Sequence, residues 1–420
     1  MERALVVADD YTGAMDTGQR FAANGRSVRV VLSGPDSSGL ERRDSSDPDV
    51  LVVDANTRAA DSETAGDTVS RLLSDAPSLV YKKVDSTLRG NVVSEVDAAL
   101  AALGADLAVV APAFPATGRV TVNDRLLVDG VSLADAGYGV QSSTLESRFA
   151  TSQYDCESLP IDTVVSGRDA IRSALESTLG GEPTLVTCDA IHERHLESIG
   201  AAAQSLEATV LFVGSGGLAS ALSVPGMDTM AAPAVDRPAG DVLGVVGSIN
   251  DRTLEQLAAV PDNRVVRLAP TDAVSDPLRA GQNAARPLQE RLEAHGEAVV
   301  TGALEPGDVE QAREGAAALD RDIGPGSRIE SALASAAAET AKSTFLSGLF
   351  LTGGSVARAT LERLNATAID LSGGAVDDGI PVGHLVDGDL AGATVITKAG
   401  GFGSPGSIVN CLSALDEAND

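Results

Sequence analysis

Residues 5–18, LVVADDYTGAMDTG, pass from an apolar run through two adjacent aspartates into a helical pattern. Leu5–Ala8 reads as a buried strand, and Ala14–Asn24, closed by Gly25, reads as the helix that follows it. Asp9 and Asp10 then fall at the carboxyl end of the strand, the edge where open α/β sheets bind ligands. Two neighbouring carboxylates repel each other unless a cation or a hydrogen-bond donor sits between them. A plainer reading makes one aspartate a helix cap and the other a solvated turn residue. Thr12 can also cap the helix, and Gly13 permits a tight turn.

The same alternation continues along the chain. Further strands are expected at Val28–Leu32, Val50–Val53, Leu79–Val84, Leu107–Ala111, Thr163–Val165, Thr184–Thr187 and Val210–Val213, with helices such as Val92–Leu103 and Arg194–Leu206 between them. A second series places strands at Val242–Val246, Arg264–Leu268, Ala298–Thr301, Leu349–Thr352 and Thr394–Thr397. Helical patterns at Arg252–Val260, Val309–Leu319 and Ile329–Ser343 fall between these. Strand and helix alternating at this spacing predicts two α/β domains with mainly parallel sheets and an interdomain cleft. A proline-rich stretch without periodicity makes 226–240 the linker between a domain of 1–225 and one of 241–420.

Composition narrows the function. The 420 residues carry a net charge of −29, a field that repels nucleic acid and anionic lipid. No run of about 18 apolar residues spans a membrane and no secretory signal opens the chain, so a cytoplasmic protein is expected. Cys156, Cys188 and Cys411 lie far apart and suggest buried thiols rather than disulfides or a metal site. Of 31 basic residues only four are lysine, an acidic, lysine-poor composition like that of salt-accumulating halophiles. Three of those four, Lys82, Lys83 and Lys398, lie inside the motifs below, where a retained lysine points to a positional role.

The stretch YKKVDSTLRGN, 81–91, ends a strand in mixed charge. Period-2 geometry puts Tyr81, Lys83 and Asp85 on one face and Lys82 on the other. Cations around Ser86 and Thr87 suit a carboxylate or phosphate, which Arg89 can hold bidentately. VDANTRAAD adds Arg58 at another strand end. PAFPATGRVTVNDRLLVDG is a proline-flanked loop and hairpin, and its pattern fits a site cover and a surface hairpin equally. In the second half, Gly247-Ser248, Thr352-Gly353-Gly354-Ser355 and KAGGFGSPGS (398–407) are strand–glycine–helix turns, the geometry that brings backbone N–H groups near phosphates. None matches the P-loop or the dinucleotide fingerprint. His192 and His195, three apart, read as a solvated helix face.

Taken together, ADDYTGAMDTG, NTR, KKVDSTLRGN, PAFPATGR, Gly247-Ser248, LTGGS and KAGGFG resemble the four-carbon acid sugar kinase family over nearly the whole chain. That resemblance implies an ATP-dependent kinase acting on a small sugar acid, with Mg²⁺ on the phosphates, an N-terminal sugar-acid domain and a C-terminal nucleotide domain. It implies that Asp9 and Asp10 hold or deprotonate the acceptor hydroxyl, that Arg58, Lys83, Asp85 and Arg89 bind the acid, and that Ser248, Gly353, Gly354, Ser355 and Gly400 bind the nucleotide. No protein metal site is implied, and a homodimer stays open. Substrate hydroxyls with Lys83 or Arg89 are expected to hold the aspartate pair together. Ser355-Val356 stands where many members have an acid and a threonine. The alternative is therefore a non-catalytic acid-sugar sensor with an altered nucleotide loop.

Overall fold

The structure is a computed structural model describing residues 4–32, 48–74, 76–224, 240–319, 324–377 and 379–417. The chain divides into two compact units, Met1–Met230 and Ala231–Asp420. The expected linker, 226–240, lies outside the described residues except for Gly240.

The strands of the first unit are β1 (Ala4–Ala8), β2 (Val28–Leu32), β3 (Val50–Asp54), β4 (Leu79–Lys83), β5 (Leu107–Ala111), β6 (Arg119–Val122), β7 (Arg125–Val128), β8 (Val131–Ser132), β9 (Asp155–Leu159), β10 (Thr184–Cys188) and β11 (Val210–Gly214). Eight of them form a parallel run in the order β2-β3-β1-β4-β11-β5-β10-β9. The central strands are buried along their whole length because helices cover both faces. On one face the Tyr81 ring meets Phe21 of helix Tyr11–Ala23 edge-on, 6.3 Å between centroids. On the other, Lys82 meets Glu95 of helix Val92–Leu103. The alternation expected for residues 81 and 82 is therefore present.

Register sets the site. Ala8 pairs with Asp54 on one side and with Lys83 on the other, so β1, β3 and β4 end level. Residues 9–10, 55–58 and 84–89 consequently emerge together at one sheet edge. Strands β6 and β7 form the expected hairpin, reversed at Asn123 and Asp124, both with φ in the left-handed region as a two-residue turn requires.

The strand expected at Thr163–Val165 is instead helix Ile161–Val165, begun by Pro160 and followed by Gly167 at φ 95°. The outer strand is β9, DCESL, paired only with β10 among the described residues. An outer strand is wet on much of its surface and need not be apolar, so a search for apolar runs passes over it.

The second unit contains β12 (Asp241–Val246), β13 (Val265–Arg267), β14 (Glu297–Thr301), β15 (Leu346–Thr352), β16 (Ala368–Asp377), β17 (Ile380–Leu385) and β18 (Thr394–Lys398), in the order β13-β14-β12-β15-β18-β17-β16. The first five are parallel, and β17 runs antiparallel to both its neighbours. The pair β16–β17, absent from the expected strands, is interrupted by Gly373, Gly374 and Gly383, and its register is irregular. Helix Pro277–His295 is also new. It buries mostly small residues, Ala280, Gly281, Ala284 and Ala285, and carries an internal proline, which weakens the periodic signal. It packs closely on helix Pro325–Ala341: a Cβ on Gly281 would stand 2.5 Å from the Ser335 Cβ. No helix among the described residues is long and apolar enough to cross a membrane.

Candidate active site

Arg58 answers the problem posed by the aspartate pair. Its Nε and Nη2 donate to Asp9 Oδ2 and Oδ1 at 2.7 and 3.0 Å, while Nη1 and Nη2 donate to Asp10 Oδ2 and Oδ1 at 2.5 and 2.9 Å. The backbone fixes this grip, because the Asp9 carbonyl accepts from the N–H groups of Thr57 and Arg58. The expected holders, Lys83 and Arg89, are displaced from that part. Lys83 donates to the Val84 carbonyl and lies beside Gly13, and Arg89 pairs with Asp85.

Asp9 and Asp10 differ in setting. Asp9 is 1% exposed. Burial pushes its carboxyl up, but the charge and hydrogen bonds of Arg58, with Lys82 and Lys83, outweigh this and hold it below the usual carboxylate range. The Asp10 side chain is 21% exposed. It is the N-cap of helix Tyr11–Ala23, accepting from the Gly13 N–H at 2.8 Å and the Thr12 hydroxyl at 2.8 Å. Thr12 thus braces the cap rather than being it. Gly13 lies inside the helix rather than in a turn: a Cβ there would meet Asp10 Oδ1 at 2.6 Å and Lys83 Nζ at 2.9 Å.

Asp85 continues the charge lattice. It accepts from Arg89 Nε at 2.7 Å and Nη2 at 2.9 Å and from the Thr87 hydroxyl, with Arg58 Nη2 at 4.0 Å. Burial raises its pKa, but Arg89, Arg58 and Thr87 together hold it well below the usual range. Six candidates, Asp9, Asp10, Arg58, Lys83, Asp85 and Arg89, therefore gather at the ends of three strands, three negative and three positive.

Arg89 opens onto ground that sequence patterns did not mark. Arg89, Gly90, Tyr138, Gln141, Ser142 and Arg148 line a pocket of about 430 Å³. The Arg89 guanidinium lies 5.8 Å from the centre of the Tyr138 ring. Arg148 supports the loop below, donating to the carbonyls of Leu88 and Gly90 at 2.7 and 3.1 Å. Tyr138 and Arg148 follow the hairpin that pattern alone left undecided, and no motif announces them.

The glycine turns of the second unit converge in the same way. Val246 pairs with Thr301 and Thr352, and Thr352 with Lys398, so these strands also end level. Gly353, at φ 94°, lies so near Ser248 that a Cβ would stand 3.1 Å from its amide nitrogen. A Cβ on Gly400 would stand 2.3 Å from Ser248 Oγ. Gly354 begins helix Gly354–Arg363, and Ser355 Oγ donates to Glu330 at 2.5 Å.

Thr253, Gln256 and Asp377, none of them expected, pin the last loop through hydrogen bonds to residues 400–407. Lys398 is buried, its ammonium facing the carbonyls of Ala399, Gly400 and Phe402 and the Thr253 hydroxyl. Burial pushes its pKa down to about 8.

The histidines divide. His192 is exposed at the helix start, whereas His195, expected on a solvated face, is buried, and burial lowers its pKa. Cys188 and Cys411 are buried free thiols and Cys156 is half-buried. Among the described residues, no group of three or more His, Cys, Asp or Glu side chains is placed to hold a metal ion.

These two units, each with polar or glycine-rich strand ends, define a two-domain α/β class. Residues 4–222 match the family of sugar-binding N-terminal domains and residues 243–408 that of nucleotide-binding C-terminal domains. The chain belongs to the four-carbon acid sugar kinase family. It is 32% identical to the D-threonate kinase of Salmonella typhimurium, with 99% of each chain covered. It is 29% identical to the D-erythronate kinase of Heliobacterium modesticaldum, covering 99% of this chain and 97% of the other. A crystal structure from Salmonella typhimurium matches with a TM-score of 0.78 at 22% identity, covering 98% of both chains. One from Haemophilus influenzae matches with a TM-score of 0.75 at 21% identity, covering 98% of this chain and 100% of that one. At such identities they speak for the fold alone.

Proposed function

We propose that the protein is a cytoplasmic kinase that transfers the γ-phosphoryl group of ATP to a hydroxyl of a four-carbon-like sugar acid such as threonate, erythronate or 3-oxo-tetronate. The observation that carries this reading is the Arg58 clamp, which presents Asp9 and Asp10 side by side at a sheet edge. Asp10, the more exposed of the two, is the general base for the acceptor hydroxyl, and Asp9 anchors Arg58 from below. All three guanidinium nitrogens of Arg58 donate to carboxylates, so Arg58 orients the site more than it grips substrate. The acid's carboxylate is assigned to the pocket lined by Arg89 and Arg148, whose two positive charges suit an anion there. Lys83 and Asp85 complete the acid site.

In the second unit, Ser248, Gly353, Gly354, Ser355 and Gly400 are assigned to ATP. The donor set fits: backbone N–H groups at a helix start, and glycines where a Cβ would fill the cradle. Mg²⁺ would be carried mainly by the phosphates, as is usual for this ion, neutralising charge there. Replacing Gly353 by alanine adds a Cβ in the left-handed region and against the Ser248 backbone. Strain of about 1–3 kcal/mol is expected. The KM for ATP should rise at least tenfold in steady-state assays while that for the acid stays within twofold.

The reading is tested by following ADP release with Mg-ATP in molar KCl against a panel of four- to six-carbon sugar acids. Turnover with one of them is expected. Calorimetric binding of an acid without turnover would overturn the kinase reading and favour the sensor, which the kinase relatives do not favour.

A further inference from the structure

A buried charge pair lies beneath the proposed site, and none of the binding or proton-transfer roles assigned above falls to it. Lys82 Nζ and Glu95 Oε2 stand 3.0 Å apart, and each side chain is 1% exposed. A buried ion pair seldom stabilises a fold more than apolar residues of the same shape would, so stability alone does not account for it. Its other partners do. Glu95 Oε1 accepts from the Thr57 hydroxyl. Lys82 Nζ donates to the Lys83 carbonyl at 2.9 Å and reaches the Val7 carbonyl at 3.4 Å. Val7 lies two residues before Asp9, Thr57 directly precedes Arg58, and Lys83 lies two residues before Asp85. Thr57 also donates its own N–H to the Asp9 carbonyl at 3.0 Å.

We infer that Thr57, Glu95 and Lys82 are positioning residues that lock the ends of β1, β3 and β4 together and aim Arg58 at both aspartates. The inference rests on the kinase reading above for its kinetic consequences, though not for its geometry. An ammonium suits the place, because its three donors spread tetrahedrally toward a carboxylate and two carbonyls, whereas a guanidinium's donors are confined to one plane. That requirement accounts for a lysine in a chain that uses arginine nearly everywhere else.

The test removes one hydroxyl. Thr57→Val keeps the shape and the Lys82–Glu95 pair but takes away the link to Glu95, while Thr57→Ser keeps the link. Expected for Thr57→Val is a fall in kcat of at least tenfold with the KM for ATP within twofold of wild type. Thr57→Ser should stay within twofold of wild type in both. A crystal structure of Thr57→Val should show Arg58 withdrawn from Asp10. A lowered melting temperature with unchanged kcat and an unmoved Arg58 would overturn the inference. Should the wild type phosphorylate no acid, the kinase reading fails, and the position of Arg58 in the two variants still decides the positioning role. Arg58 displaced in the valine variant alone supports the role, and Arg58 in place in both overturns it.

Discussion

Replacing Arg58 by methionine is expected to abolish measurable turnover and to cost about 3–5 kcal/mol of stability at neutral pH, the usual penalty for stranding a buried charge. Asp9 is that charge. In the native protein its carboxyl, like that of Asp85, titrates below the ordinary range, chiefly because Arg58 and its neighbours outweigh burial. The folded state therefore binds fewer protons than the unfolded chain near pH 4 and below. The stability these groups contribute is complete above the unfolded carboxylate value, near 3.9, and is lost as pH falls through the folded values.

Without Arg58 the sign reverses at Asp9. Burial then dominates and lifts its pKa above the unfolded value, so its contribution is present at low pH and lost as pH rises. The gap in melting temperature between wild type and Arg58→Met should accordingly narrow from pH 7 to pH 4.5 at constant KCl. A gap that widens on acidification would rule out Asp9 as the stranded group.

Asp10→Asn is expected to lower kcat by about 10²–10⁴-fold, the range for loss of a general base. The fold should survive, because asparagine caps helices about as well as aspartate. Asp9→Asn should behave in the opposite sense. It removes a buried charge from the Arg58 clamp, so the melting temperature falls more and kcat less than in Asp10→Asn. Kinetics and thermal melts on the two variants check both statements. A large kcat loss in Asp9→Asn with a melting temperature near wild type would move the base to Asp9.

Much of this was legible in the sequence wherever local pattern and tertiary setting agree. The strands leading to Asp9 and Arg58 are continuous apolar runs, and the one leading to Lys83 opens on Leu79–Tyr81, because helices cover both their faces; such runs can be read without a structure. The identity of the cation between the aspartates could not be read that way. Arg58 lies 49 residues from Asp9 and meets it only through parallel register, whereas Lys83 and Arg89 sit in the denser motif and drew the assignment. Strand β9 and the β16–β17 pair escaped for the opposite reason: polar and glycine-rich residues suffice there, so no apolar run marks them. His195 resembled a surface residue because a three-residue spacing from His192 says nothing of which face the sheet covers.

The placement of the lysines has a practical consequence. Lys82, Lys83 and Lys398 are 0%, 5% and 1% exposed, while the Lys342 side chain, beside Glu339, is 67% exposed. To an amine-directed reagent the protein is therefore close to a single-handle molecule: apart from the α-amino group, an activated ester finds one accessible primary amine in 420 residues. A dye, a biotin or a sensor surface can be coupled at Lys342 without cysteine engineering, leaving the three lysines of the strand ends unmodified.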